Sequence, residues 1–212
     1  MSKVLSYLTT ETINSITHAL GVLFGILFIP SLILFAFQYG STAQLIGVSI
    51  YGACYVITFT LSTLYHAARP TRIKRRLELL DHISIYFLIA ATYTPFVINH
   101  MFNSTGIAFL WVIWCSVVIG VIFKLVYLNR FILLSVVSYV SVSMLFLFVR
   151  DAFLARMPPD VINLLYTGIA FYLLGIIFFF WLKLKHHHAL WHLFVLAGSI
   201  CHYQAVWFSI RA

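Results

Sequence analysis

GIAFLWVIWCSVVIGVIFKLVY, residues 106–127, is an almost purely apolar stretch with one charged side chain, Lys124. A helix that crosses a bilayer needs about 20 consecutive residues of this kind. Among spanning structures, only helices and closed barrels satisfy all their backbone hydrogen bonds inside hydrocarbon. The stretch therefore predicts a transmembrane helix and sets the pattern for the rest of the chain.

Similar apolar windows recur along the whole chain. The predicted spans are residues 15–38, 43–66, 82–101, 106–127, 131–149, 161–182 and 188–209. The breaks between them carry turn-forming Gly, Pro and Asn or basic residues. They include the basic run 69–78, Asn129 with Arg130, Pro158 with Pro159, and residues 183–187. We expect an all-α integral membrane bundle of seven transmembrane helices, a single domain over residues 1–212.

The composition supports a membrane protein. Hydrophobic residues make up 63% of the chain and charged residues 8%, against about 25% charged in a soluble domain. The net charge of +8 comes mainly from residues between the apolar windows. We therefore expect membrane lipids as partners and no nucleic acid. Cys54, Cys115 and Cys201 lie inside the windows and predict buried thiols rather than a disulfide framework.

The distribution of Lys and Arg predicts the orientation. With seven spans the termini lie on opposite sides, and a cytoplasmic N-terminus puts ten of the 13 basic residues inside. The inner set is Lys3, Arg69, Arg72, Lys74, Arg75, Arg76, Lys124, Arg130, Lys183 and Lys185, and the outer set is Arg150, Arg156 and Arg211. The positive-inside rule predicts an N-terminus inside, a C-terminus outside and a multi-pass protein of the cell (inner) membrane. The N-terminal residues are expected to be a cytosolic tail rather than a signal peptide.

Several polar residues converge at one membrane depth. His188 and His192 are four residues apart, so they lie on one helix face, one turn from each other. The direction of the spans places them near the cytoplasmic side, level with Ser62, His66 and Asp81. Ionisable groups in a bilayer are costly and usually mark function. We predict that His66, His188 and His192 bind zinc in the three-imidazole arrangement of catalytic sites.

Ser62 and Asp81 are the predicted catalytic residues. Zinc lowers the pKa of a bound water to about 7, and Asp81 is expected to hold that water or accept its proton. Ser62 is expected to hydrogen-bond the water or a substrate carbonyl oxygen. The alternative for Asp81 is a purely structural role as the N-terminal cap of the third span.

The remaining polar residues have structural alternatives. Asn14 is a candidate cap or turn residue at the start of the first span. His18 either supports the ligands from behind or is an alternative ligand. His202 lies ten residues beyond His192, roughly 15 Å along the helix, and is expected to pack or hydrogen-bond. Packing or interfacial roles are also expected for His82, His100, His186 and His187.

Four motifs in this order resemble a known family. They are Glu11-x-x-Asn14-x-x-x-His18-x-x-Gly21, Ser62-x-x-Tyr65-His66, Asp81-His82-x-x-Ile85 and His188-x-x-Trp191-His192, followed by His202. Over essentially the whole chain they resemble the hemolysin III branch of the progestin and adipoQ receptor family. This family lies within a superfamily of membrane hydrolases that includes alkaline ceramidases. The resemblance implies a bundle with a cytoplasmic N-terminus and zinc near the cytoplasmic side.

The resemblance also implies specific site residues. It assigns the zinc to His66, His188 and His192, with Ser62 and Asp81 completing the site. Thr10 stands where the family often has an acidic residue, which leaves the role of Glu11 open.

Three functions compete at this point. The zinc constellation favours a hydrolase of a lipid amide or ester. The second hypothesis is a non-enzymatic receptor-like, membrane-homeostasis or cytolytic protein with a structural zinc site. The third is a channel or proton-coupled transporter that uses His18, Asp81 and His202 as a relay. A retinal protein is excluded because the last span has no lysine for a Schiff base.

Overall fold

The computed structural model describes the backbone of residues 2–128 and 130–211 and the side chains of residues 8–128 and 130–211. All regular structure within these ranges is helical. Lys3 of the orientation count and Asn129 of the predicted turn lie outside the described side chains.

Seven segments of the described chain are long and apolar enough to cross a membrane. The helices are α1 (Ser2–Tyr39), α2 (Thr42–Ala67), α3 (Arg72–His100), α4 (Ser104–Tyr127), α5 (Ile132–Ser143), α6 (Arg150–Leu154), α7 (Pro159–Phe180) and α8 (His187–Ser209). A 3₁₀ helix, Leu145–Val149, joins α5 to α6. These three elements together form the fifth segment, and each remaining helix forms one. The predicted all-α, seven-span fold is confirmed.

Two spans begin earlier than predicted. α1 begins at Ser2 rather than at residue 15, and α3 begins at Arg72 rather than at residue 82. Most of the basic run that was predicted to be a loop is therefore helical. Thr71 caps α3, because its side-chain oxygen accepts a hydrogen bond from the Lys74 amide at 3.4 Å. Lys and Arg are good helix formers, which accounts for the early start of α3. A hydropathy window detects the apolar part of both helices and misses their polar extensions.

These earlier starts overturn two structural alternatives. Asp81 lies well inside α3, whose cap is Thr71, so the cap role proposed for Asp81 is wrong. Asn14 lies inside α1, so it is neither a cap nor a turn residue. Both side chains are buried.

The prediction of buried thiols is also wrong. All three cysteines are free, but Cys115 is exposed and Cys54 and Cys201 are half-buried. An apolar thiol suits the outer surface of a membrane bundle as well as its interior, so the apolar windows could not distinguish the two positions.

The fifth segment is not one regular helix. α5 ends at Ser143 and gives way to the 3₁₀ turn before α6. Serine side chains along α5 hydrogen-bond to nearby carbonyls, from Ser135 to Phe131 at 3.0 Å and from Ser143 to Val140 at 2.9 Å. Bonds of this kind compete with the helical ladder and often bend helices.

α8 is held by helices on several sides. It packs against α1 and α3 and most extensively against α7. The α7–α8 contact is close because Gly168 and Gly198 face each other. A Cβ atom at Gly168 would lie 2.4 Å from His202 Cδ2 and 3.1 Å from the Gly198 carbonyl oxygen. Small residues commonly permit such approaches between membrane helices, and here they fix the helix that carries His188 and His192.

Candidate metal centre

Four histidines from three helices form one cluster inside the bundle. His18, His66 and His192 are buried, and each offers a ring nitrogen within 4.8 Å of the others. These three buried histidines could form a metal site. His188 adjoins them, with its ring centroid 4.4 Å from that of His192 and 5.4 Å from that of His66.

The cluster follows from the directions of the helices. Consecutive membrane segments run antiparallel, so α1, α3 and α8 begin on the side where α2 ends. His66 lies in the last turn of α2, while His188 and His192 lie in the first turns of α8. The structure thus brings together all three histidines predicted as ligands, with His18 beside them.

Ser62 and Asp81 are joined to each other. The Ser62 hydroxyl donates a short hydrogen bond to Asp81 Oδ1, and both side chains are buried. Because the single hydrogen of the Ser62 hydroxyl goes to Asp81, Ser62 orients the Asp81 carboxylate in this structure. Both residues line the same cavity as His66, His188 and His192.

Hydrogen bonds around His192 indicate its tautomer. Thr17 Oγ1 donates to the Asn14 carbonyl oxygen at 2.7 Å and lies 3.2 Å from His192 Nδ1. Because the only hydroxyl hydrogen of Thr17 goes to Asn14, the His192 Nδ1–H is the donor in the second contact. The lone pair of His192 then lies on Nε2, the nitrogen that a metal would bind.

Glu11 has a position that the sequence did not predict. Glu11 Oε2 lies 3.5 Å from His66 Nδ1 and accepts a short hydrogen bond from Lys74 Nζ. Lys74 also donates to the Tyr65 and Ala68 carbonyl oxygens at 3.1 Å and 3.3 Å. A carboxylate behind a metal-binding histidine fixes the orientation of its ring. Glu11 is three residues from Asn14 and seven from His18, so all three lie on one helix face. This spacing was the sequence signal that could have predicted the position of Glu11.

Three other histidines have hydrogen-bond partners outside the cluster. His202 Nε2 is 3.3 Å from the Leu165 carbonyl oxygen, His100 Nε2 is 2.7 Å from Ser209 Oγ, and His187 Nδ1 is 3.1 Å from the Phe178 carbonyl oxygen. These contacts fit the structural roles expected of them. His186 has a left-handed backbone, with φ 58°, in the turn before α8.

A cavity of about 470 Å³ extends from the histidines into the bundle. Beyond its polar end the walls are largely apolar, with Leu88 of α3, Ile132 of α5, and Leu173 and Ile176 of α7. α5 packs against α3 and α4, whereas α7 packs against α8, so the cavity lies between two groups of helices. Its volume is typical of a small-molecule pocket, and its lining suits a hydrocarbon chain.

Comparisons with known proteins agree with this architecture. Residues 6–203 match the family of haemolysin-III-related proteins. Similar relatives include the hemolysin-3 homolog of Bacillus subtilis (strain 168), 37% identical over 93% of both chains. Hemolysin-3 of Bacillus cereus is 32% identical over 99% of this chain and 96% of its own.

A human protein is a more distant relative. Monocyte to macrophage differentiation factor of Homo sapiens, from the progestin and adipoQ receptor family, is 27% identical over 74% of this chain and 68% of its own. No solved structure matches the chain significantly. From the family match and the two bacillary relatives, the chain belongs to the haemolysin-III-related family of multi-pass membrane proteins.

Proposed function

We propose that this protein is an integral-membrane, zinc-dependent hydrolase that cleaves an amide or ester bond of a lipid. The observation that carries the proposal is the buried histidine cluster beside the Ser62–Asp81 pair, at the polar end of an otherwise apolar cavity. A structural metal site needs only ligands, whereas an oriented carboxylate beside the ligands is what general-base catalysis needs.

The ring nitrogens that approach within 4.8 Å of one another belong to His18, His66 and His192, whereas the ring separations support His66, His188 and His192 as the zinc ligands. With Zn–N bonds of about 2.0–2.1 Å, imidazole centroids around a tetrahedral ion lie roughly 5 Å apart. The three observed centroid separations are 4.4, 4.9 and 5.4 Å. His18 fits less evenly, at 3.9 Å from His192 and 5.7 Å from His66. We therefore assign the zinc to His66, His188 and His192 and keep His18 as the alternative ligand.

The chemistry divides between the metal and the side chains. Bound zinc supplies Lewis acidity and lowers the pKa of a water to about 7. Asp81, held through Oδ1 by Ser62, has Oδ2 with which to accept a proton from the attacking water. The water oxygen bonds to the acyl carbon, and the C–N or C–O bond breaks. The proton on Asp81 passes to the leaving amine or alcohol, and the other product is a fatty acid.

The apolar walls have a separate part in the reaction. They hold an acyl chain with its carbonyl at the histidines and exclude bulk water from the site. Exclusion of water strengthens the electrostatic contacts within the site.

A second candidate function rests on the same cluster. The assigned ligands lie on α2 and α8, and the alternative ligand His18 lies on α1, so a bound zinc would cross-link helices of a non-enzymatic receptor-like, membrane-homeostasis or cytolytic protein. The names of the bacillary relatives favour this candidate. Unlike the hydrolase, this candidate does not need Asp81 as a general base.

The purified full-length protein in detergent would test these proposals. Metal analysis should find about one zinc per chain, as expected for one three-histidine site. Incubation with a ceramide, a diacylglycerol and a phospholipid should release fatty acid from at least one of them. A chelator should stop the release, and added zinc should restore it. Zinc without release of fatty acid would favour the structural candidate, and protein without zinc would contradict both.

Glu11→Gln should weaken zinc binding about 10- to 100-fold, the usual cost of losing a partner behind a metal ligand. The amide keeps the shape but removes the negative charge beside His66 and Lys74. Titration with a competing chelator measures the change. Asp160→Asn, in the first turn of α7, is the matched control and should leave the affinity unchanged. Equal affinities in both variants would show that Glu11 does not act on the metal site.

A further inference from the structure

We infer that the cavity contains an anion-binding subsite at Lys124, and that the lipid it accepts carries a phosphate or carboxylate group. The inference deepens the proposed function and rests on it for the assumption that the cavity binds lipid. Lys124 of α4 is only 2% exposed. It nevertheless lines the same cavity as Asp81 and His188.

The hydrogen-bond partners of Lys124 are neutral. Its ammonium donates to Ser135 Oγ at 2.7 Å and to the Leu128 carbonyl oxygen at 3.3 Å. Ser135 in turn donates its hydrogen to the Phe131 carbonyl oxygen. Neither the ion pair of Glu11 with His66 nor that with Lys74 includes Lys124. An ammonium has three N–H donors, and the described residues accept two of them.

A buried ammonium is costly unless an opposite charge compensates it. Aromatic rings offer partial compensation, since Lys124 Nζ lies 5.6 Å from the centroid of Tyr139. His82 offers a second polar group in the wall of the cavity. Its buried Nδ1 has no hydrogen-bond partner among the described residues. An oxyanion in the cavity would supply charge to Lys124 and an acceptor to His82.

The two carboxylates nearest to Lys124 form hydrogen bonds with α2. Asp81 is hydrogen-bonded to Ser62 of α2, and Glu78 accepts a hydrogen bond from Tyr65 of α2 at 3.3 Å. Both carboxylates interact electrostatically with Lys124, but the hydrogen bonds found for its ammonium go to Ser135 and Leu128 on the α4–α5 side and to neither carboxylate. A lipid whose anionic group meets Lys124 has its carbonyl free to reach the histidines.

A simpler explanation for the buried lysine is a structural role at the end of α4. It lies in the last turn of α4, and lysines there hydrogen-bond the final carbonyls and stabilise the helix dipole. That role requires no ligand and predicts no preference for anionic lipids. Binding measurements separate the two roles without any dependence on turnover.

The test compares pairs of probes that differ in charge. Equilibrium binding to the full-length protein in a neutral detergent uses oleate against oleyl alcohol, and 1-oleoyl lysophosphatidate against monoolein. We expect the anionic member of at least one pair to bind about tenfold more tightly or better, as a charge-assisted hydrogen bond provides. The pair that shows the preference identifies carboxylate or phosphate as the ligand chemistry. Equal affinities within both pairs would overturn the inference.

Variants then locate the preference. Lys124→Met should abolish it, Lys124→Arg should keep it, and Lys183→Met, at an exposed lysine between α7 and α8, should keep it. Lys124→Gln, which keeps a polar side chain but removes the charge, should also abolish the preference and gives a second readout if Lys124→Met fails to fold. A preference that survives in Lys124→Met but disappears with a chelator would place the anion on the metal and overturn the inference. Binding with the expected preference but without hydrolysis would refute the hydrolase alone.

Discussion

His188→Ala is expected to release zinc from the purified protein and to abolish lipid hydrolysis. Loss of an outer partner of a metal ligand costs about 10- to 100-fold in affinity, and loss of a ligand itself should exceed that range. His188 is one turn from His192 on the first turns of α8, so the variant removes one of two imidazoles supplied by that helix. Metal analysis and a chelator titration measure the effect.

Variants of two neighbouring histidines complete the test, one as a control and one to distinguish the possible ligand sets. His187→Ala removes an imidazole that hydrogen-bonds to the Phe178 and Phe179 carbonyl oxygens and should leave the zinc content unchanged. His18→Ala separates the two possible ligand sets and should retain most of the zinc. Loss of zinc in His18→Ala together with retention in His188→Ala would instead assign the metal to His18, His66 and His192.

Asp81→Asn is expected to reduce hydrolysis by about 10²- to 10⁴-fold, the usual contribution of a general base, with zinc still bound. The amide oxygen can accept the hydrogen bond from Ser62, but the side chain can no longer take a proton from water. The measurement pairs the rate of fatty acid release with the zinc content of the same preparation. Asp151→Asn, in the exposed first turn of α6, is the matched control and should hydrolyse lipid at the normal rate.

The Asp81 variant also discriminates between the two candidate functions. A protein with structural zinc has no need of the carboxylate as a base. Full hydrolytic activity in Asp81→Asn would remove Asp81 from the mechanism. A loss of zinc in this variant would show instead that Asp81 supports the metal directly.

The fold was largely predictable because apolar length is a direct consequence of crossing a bilayer. The starts of α1 and α3 were not, since both helices extend beyond their apolar parts, α1 through a largely polar stretch and α3 through a basic one. The interruption after Ser143 was equally invisible to hydropathy, because the residues on both sides of it are apolar.

The sequence predicted which side chains of the candidate site share one membrane depth, but not which of them are in contact. The spacing of His188 and His192 and the direction of the spans indicated which side chains would share one depth. The approach of His18 to His192, with 3.9 Å between ring centroids, depends on how α1 packs against α8. The contact of Glu11 with His66 likewise depends on the packing of α1 against α2, and one sequence carries little information on such pairings.

The two walls of the cavity differ in how closely their helices pack. On one side, α7 and α8 are locked together at Gly168 and Gly198, where the backbones nearly touch. On the other side, α5 is interrupted by the 3₁₀ turn and is less closely held by its neighbours. The proposed ligands His188 and His192 therefore belong to the closely packed wall, and we expect the α5 wall to adjust to the bulk of a bound chain. Substitutions in α5 should consequently change which lipids fit while leaving the reactive end of the site in place.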